Sequence, residues 1–175
     1  MKDWRDVLLV DGYNMIGGWP ELAELSRSGM QEARDRLLDL LADYQAYSGR
    51  RVIAVFDAYR VPGLGRSFVQ GKVQVYFTKE KETADECIER LVGEFSHRRR
   101  QIYVATSDST EQHVIFAQGA LRLSARELRL EVEEMQREVK KTIKPPAPGA
   151  GSLRHNLEEK LPPDIRRRLE NWRRQ

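Results

Sequence analysis

Three aspartates stand directly behind short apolar runs. Val7-Leu8-Leu9-Val10 ends in Asp11, Arg51-Val-Ile-Ala-Val-Phe56 ends in Asp57, and Gln101-Ile-Tyr-Val-Ala-Thr106 is followed by Ser107-Asp108. A fourth acid, Asp85, lies in the first turn of the helix that Thr83-Ala-Asp-Glu86 opens as a capping box. Runs of this length read as buried parallel strands. In an open parallel sheet, ligands bind in the crevice outside the carboxyl ends of the strands. Four carboxylates are therefore expected to converge on one crevice. Clustered like charges repel, and a bound cation keeps them ionised most readily. An all-oxygen, carboxylate-rich site favours Mg2+ or Mn2+ over zinc, because hard cations take oxygen ligands. On a phosphodiester, such a site performs hydrolysis: one metal lowers the pKa of a water, and a second can stabilise the leaving oxygen.

Each acid also has a plainer reading. Asp57, followed by Ala-Tyr, fits a turn cap equally well. Asp85 would stabilise a helix dipole by about 0.3–1 kcal/mol anywhere. Asp108 before Ser109 is compatible with ordinary turn chemistry. Asp11 is harder to dismiss, because a carboxylate directly behind an apolar strand is costly to desolvate. The coincidence of all four at one sheet edge carries more than any one of them.

The elements that must position these acids are legible in outline. After Asp11 comes an expected loop containing Gly17, Gly18 and Pro20; Ser28-Gly-Met-Gln31 then reads as a capping box opening a helix that Gly49 stops. A second loop with Pro62, Gly63, Gly65 and Gly71 leads to a third strand, Lys72–Thr78. Ile88, Leu91, Val92 and Phe95 form the buried stripe of the Asp85 helix. A fourth strand over 101–106, a short helix from Ser109 to about Gln118 and a longer one from Ser124 to about Thr142 complete the pattern. Alternating strands and helices predict a mostly parallel sheet with helices on both faces, an α/β fold of three layers. The expected organisation is a domain over 1–143, a Pro/Gly linker over 144–152 and a basic tail over 153–175, where Ile165, Leu169 and Trp172 would share one side of a short helix.

Composition sets the outer limits. The chain has 175 residues, 33% charged, with 30 Lys+Arg against 27 Asp+Glu and a mean hydropathy of −0.64. That length builds one core without disulfides, and the single cysteine, Cys87, supports neither a disulfide nor a zinc cluster. No stretch approaches the ~20 apolar residues of a membrane span, and the acidic, non-apolar start is no signal peptide. The chain thus reads as cytoplasmic, with no membrane partner. From Lys140 onward there are 10 Lys+Arg and 4 Asp+Glu, leaving a slightly acidic body. A basic tail of this kind suits either a polyanion partner or solubility.

Longer motifs resemble a known family. Leu9-Val-Asp-Gly-Tyr-Asn14, Val55-Phe-Asp57, Thr83-Ala-Asp85 and Ala105-Thr-Ser-Asp108 are similar to motifs of the NYN branch of PIN-like nucleases. Asp11–Pro20, Phe77–Glu86 and Thr106–Gln112 resemble the YacP-like family of bacterial, ribosome-associated endoribonucleases. The likeness covers roughly residues 7–135. It implies a PIN-like three-layer α/β/α fold and a metal-dependent endoribonuclease acting on RNA, mRNA in a translation context. Asp11 and Asp85 would be the principal metal-binding acids, with Asp108 as a third ligand and Asp57 an outer or through-water one. Asn14 would orient Asp11 or contact the scissile phosphate, and Thr106 and Ser107 could donate to that phosphate or to a carboxylate.

For RNA, Arg60, Arg66 and Lys72 flank the loop after Asp57, while Lys79 and Lys81 precede the Asp85 helix, so these are the candidate phosphate contacts. Tyr13, Trp19 and Tyr59 can stack on splayed bases; Trp19 before Pro20 equally suits the core. His97, His113 and His155 lack ligand spacing, and Cys87 reads as a small buried side chain. Arg98-Arg-Arg100 falls at the sheet edge opposite the acids, as a solvated turn or a second RNA or ribosome contact. The alternative function is a non-catalytic RNA- or ribosome-binding module on a nuclease-like fold. Phosphatase and phosphoacceptor readings are weaker, because Tyr13 stands where a haloacid-dehalogenase-type enzyme needs a second Asp and Asp11-Gly12 does not supply the adjacent acids of a response-regulator receiver.

Overall fold

The computed structural model describes residues 3–58, 67–79, 81–107 and 119–143. Within them the apolar runs form a six-stranded sheet. β1 (Val7–Asp11), β2 (Arg51–Phe56), β4 (Val73–Phe77), β5 (Ile102–Ala105) and β6 (Leu121–Leu123) run parallel, and β3 (Ser67–Gln70) pairs antiparallel with β4. The order is β3-β4-β2-β1-β5-β6. From β1 the chain first builds outward through β2 to β4. It then returns so that β5 lies on the other flank of β1, with Val7 opposite both Arg51 and Ile102. Strand order therefore reverses between β1 and β5, and the crevice of such a sheet opens at that switch point.

Side-chain alternation along the strands feeds two cores. Leu8, Val10, Val52, Ala54, Phe56 and Val75 face α1 (Gly12–Gly18), α2 (Pro20–Ser28), α3 (Met30–Ser48) and α5 (Ala125–Ile143). Val7, Leu9, Ile53, Val55, Ile102 and Val104 face α4 (Ala84–Phe95). Fully burying each Val, Leu or Ile contributes about 1.5–3 kcal/mol, so a one-residue slip of β1 would exchange its two faces. α4 meets the sheet through Cys87, Ile88, Leu91 and Val92, and the Thr83/Glu86 capping box fixes its start. The result is the three-layer α/β arrangement the sequence predicts. The chain divides into two compact units, Met1–Arg137 and Glu138–Gln175; of the second, only 138–143 at the end of α5 are described.

Three expectations are corrected. The stretch after Asp11 is not a loop but two helices. Pro20 occupies the first turn of α2, where its missing N–H costs nothing. Gly18 lets α1 approach α5, since a Cβ there would lie 2.9 Å from that of Ala125. Ser28 ends α2 instead of capping α3, whose N-cap is Gly29. Part of the expected loop before the third strand pairs as β3, joined to β4 through Gly71 (φ 56) and Lys72 (φ 75). Two consecutive positive φ values are the signature of a tight hairpin turn. The short edge strand β6 carries only three residues and has no sequence signal of its own. The expected helix over 109–118, the linker and the tail lie outside the described residues.

Candidate active site

Asp11 is both the last residue of β1 and the N-cap of α1. Its Oδ1 accepts from the Asn14 N–H at 3.2 Å. One carboxylate thus satisfies a helix start while standing at the switch point, half-buried. Asp57 follows β2 at the same edge, half-buried, and the next residue is fixed by an Ala58 N–H donated to the Thr78 hydroxyl at 2.9 Å. Thr78 is buried and was not singled out in the sequence; its position just past an apolar strand was the available signal.

Asp85 lies in the first turn of α4, also half-buried. The far end of α4 fixes which edge that turn reaches. Phe95 lies 5.0 Å from the guanidinium of Arg51, at the amino end of β2. Twelve helical residues span about 18 Å, so the start of α4 stands at the carboxyl edge with Asp11 and Asp57. Cys87, two residues further along the helix, is buried, and burial pushes its thiol up to about 11. Partial burial draws Glu82 upward, but the Lys79 N–H and the Arg90 guanidinium outweigh this and hold its carboxyl below the ordinary value.

A chain of polar contacts ties the switch point together. The side-chain oxygen of Asn14 accepts from the Ser107 N–H at 3.0 Å. The Ser107 hydroxyl oxygen accepts from the Ala125 N–H at 3.1 Å, and Trp19 donates its indole N–H to the Ala125 carbonyl at 2.8 Å. α1, the end of β5 and the start of α5 are thereby joined immediately before Asp108, which lies outside the described residues. Asn14 reaches Asp11 with its backbone N–H and spends its side-chain oxygen on the β5 end, leaving its amide NH2 as a donor. Thr106 is fully buried, so of the pair only Ser107 is exposed to a ligand. Trp19 is fully buried as well and takes the core role instead of stacking on bases.

The candidate rim residues divide. Lys79 and Lys81, both exposed, lie between β4 and α4 at the edge that holds Asp85. Tyr13 packs edge-on against Phe56, 5.2 Å between ring centres, and its hydroxyl accepts from Arg34 at 3.0 Å. This brings Arg34, in the second turn of α3, beside the site; nothing in the sequence marked it among the many charges of that helix. The structure does not bring Lys72 to this rim. It sits in the hairpin turn at the amino edge, where Gln45 donates to its carbonyl at 2.9 Å. Arg60, Arg66 and Tyr59 lie outside the described residues.

Among the described residues, no group of three His, Cys, Asp or Glu side chains stands close enough to hold a metal ion. Asp11, Asp57 and Asp85 offer carboxylate oxygens only, the donor class that Mg2+ and Mn2+ take, and they share one sheet edge. No helix among the described residues is long and apolar enough to cross a membrane.

Known proteins are similar to this chain in sequence and fold. Residues 8–174 match the model of the YacP-like NYN domain family. The chain is 48% identical over 169 residues to a Bacillus subtilis (strain 168) protein named YacP, covering 97% of both chains. It matches the crystal structure of Rae1 (YacP) from Bacillus subtilis with a TM-score of 0.73 at 48% identity, covering 97% of this chain and 95% of that one. A crystal structure of a single-substitution variant of Rae1 (YacP) matches with a TM-score of 0.68 at 54% identity, over 78% of this chain and 80% of that one.

Proposed function

From the premise that this chain belongs to the YacP-like NYN domain family and has a nuclease-like fold, we propose that it is a metal-dependent endoribonuclease of the cytoplasm. The observation that carries this reading is the placing of Asp11 at the β1/β5 switch point, joined through Asn14 to the strand end that leads into Asp108. Asp85 opens α4 at the same edge. In this reading Asp11, Asp85 and Asp108 would hold Mg2+ or Mn2+, with Asp57 as an outer ligand or a through-water contact.

Bound Mg2+ or Mn2+ supplies an attacking water of lowered pKa and offsets the charge of the phosphate. The chain's own residues set the geometry. The Asp11 cap fixes the direction of one carboxylate, and the Asn14–Ser107 bond fixes the approach of the next strand end. The Asn14 amide NH2 and the Ser107 hydroxyl are donors for the scissile phosphate. Lys79, Lys81 and Arg34 hold flanking phosphates, and Arg60 and Arg66, which follow Asp57 in sequence, are further candidates. Hydrolysis adds water across one P–O bond, and the leaving oxygen takes a proton. The substrate we propose is mRNA met in a ribosome-associated context, which the motif resemblance implies.

The test is cleavage of naked RNA and of an actively translated message, each with Mg2+, Mn2+ or EDTA, by wild type and Asp11→Asn. Cutting that needs both the metal and Asp11 supports the nuclease; cutting of the translated message alone adds the ribosome as the partner presenting it. Co-sedimentation with ribosomes and no cutting of either RNA would replace it with the binding module.

A further inference from the structure

We infer that the amino edge of the sheet, opposite the carboxylates, is a second RNA-binding surface. It grips backbone phosphates with Arg98 and Arg99 and stacks an unpaired base on Trp4. The turn between α4 and β5 closes through a bridge from His97 to Arg100. It leaves Arg98 and Arg99 exposed, and neither forms a salt bridge among the described residues. Arg51 and Lys72 reach the same edge through the starts of β2 and β4, neither in a salt bridge among the described residues, with the Arg51 guanidinium donating to Gln74 at 2.6 Å.

The nearby acids are already engaged. Asp3 is matched by Arg5 at 2.7 Å, Asp6 accepts from the Gln101 N–H at 3.0 Å, and Glu131 pairs with Arg50 at 3.2 Å. The backbone N–H leaves the charge of Asp6 in place, but Arg51, Lys72, Arg98 and Arg99 outnumber it, so a net positive band runs from the start of β4 to that of β5, three strand spacings or about 14 Å wide.

An aromatic platform stands within this band. Trp4 is 43% exposed, and its ring lies 4.6 Å from that of His97. Arg100 holds this pair in place: it donates to the Asp3 carbonyl next to Trp4, and its guanidinium lies 5.7 Å from the Phe95 ring. A partly exposed ring packed on His97, next in sequence to the exposed Arg98 and Arg99, fits single-stranded or looped RNA, in which phosphates and splayed bases are offered together. A membrane surface offers phosphates but no base to stack.

This surface is separate from the cleavage site, and its test does not depend on cutting. Full-length wild type, Arg98→Glu/Arg99→Glu and Trp4→Ala are titrated in EDTA with a fluorescein-labelled RNA hairpin carrying an unpaired tail, at several salt concentrations. The double variant should bind about tenfold or more weakly, with a log–log salt slope shallower by roughly 1.4–1.8, the release expected for two phosphate contacts. Trp4→Ala should weaken binding about tenfold with little change of slope. Binding is measured in EDTA, where no metal-dependent cutting occurs, so loss of the nuclease reading and loss of this surface are read separately. Both arginines are exposed, and circular dichroism should show an unchanged fold. Wild-type affinity and slope in the double variant would overturn the inference. So would unchanged RNA binding accompanied by lost binding to phosphatidylglycerol vesicles, which assigns the band to a membrane surface.

Discussion

The side-chain oxygen of Asn14 accepts a hydrogen bond from the backbone N–H of Ser107, 93 residues further along the chain, at 3.0 Å. Asn14 also donates its own N–H to Asp11, so a single residue touches both flanks of the switch point. Removing it should loosen the metal-binding geometry more than the fold. Asn14→Ala loses one hydrogen bond, worth about 1 kcal/mol of stability. Asn14→Ala keeps the backbone N–H to Asp11; the bond it loses fixes the strand end next to Asp108, and loss of a contact that orients a metal ligand typically costs about 10–100-fold in metal affinity or activity. A cleavage titration with Mg2+ should therefore shift to higher concentration in Asn14→Ala while the melting temperature falls by a few degrees at most. A wild-type Mg2+ midpoint would show that the bond serves the fold alone.

Trp19 offers a contrasting case. Its ring is fully buried and its N–H goes to the Ala125 carbonyl, at the first residue of α5. Trp19→Phe keeps most of the apolar volume and should cost about 1–2 kcal/mol, mainly the hydrogen bond and a small void. Trp19→Ala should cost about 3–5 kcal/mol. RNA affinity of the folded Trp19→Phe protein should equal that of wild type. A clear loss of affinity without a loss of stability would return the ring to the RNA-binding surface.

These two residues also mark what the sequence disclosed and what it did not. Asp11, Asp57 and Asp85 could be placed at one edge because strand ends and a capping box are local patterns, each within a few residues. Asn14 could be singled out, but its partner could not, since a bond spanning 93 residues leaves no local trace. The helices of 12–28 were hidden for a related reason. Gly17, Gly18 and Pro20 resemble loop punctuation, yet Pro20 opens a helix and Gly18 answers to the approach of Ala125, a contact set by the fold. Lys72 was near Asp57 by loop composition but far from it in space, because the turn it occupies closes a hairpin that runs back to the amino edge.

Cys87 makes the pH dependence testable. Burial raises its thiol from 9.0 to about 11, so the folded state holds the proton more tightly than the unfolded chain. The corresponding stability is fully present below about pH 9 and is lost as pH rises toward 11. A shift of this size is on the order of 2–3 kcal/mol. Cys87→Ala should be less stable than wild type at pH 7 and should show a flatter decline between pH 9 and 11, followed by urea unfolding at each pH. Native protein should also resist thiol reagents at pH 8. Parallel declines in the two proteins would show that the thiol does not carry this dependence.

Asp11 combines two roles that substitution can separate. As N-cap of α1 it accepts from the Asn14 N–H, a task Asn performs about as well as Asp, whereas Ala costs about 1 kcal/mol there. As a metal-binding carboxylate it has no substitute in Asn, which is neutral and offers a single oxygen. Asp11→Asn should therefore melt within about 0.5 kcal/mol of wild type and lose cleavage, while Asp11→Ala should lose both stability and cleavage. Asp85→Asn should match Asp11→Asn in cleavage, since it sits in the first turn of α4 while Thr83, not Asp85, makes the cap. The decisive comparison is thermal unfolding alongside RNA cleavage for all three variants. Retained cleavage in Asp11→Asn at wild-type stability would leave the carboxylate with the capping role only and remove it from the proposed metal site.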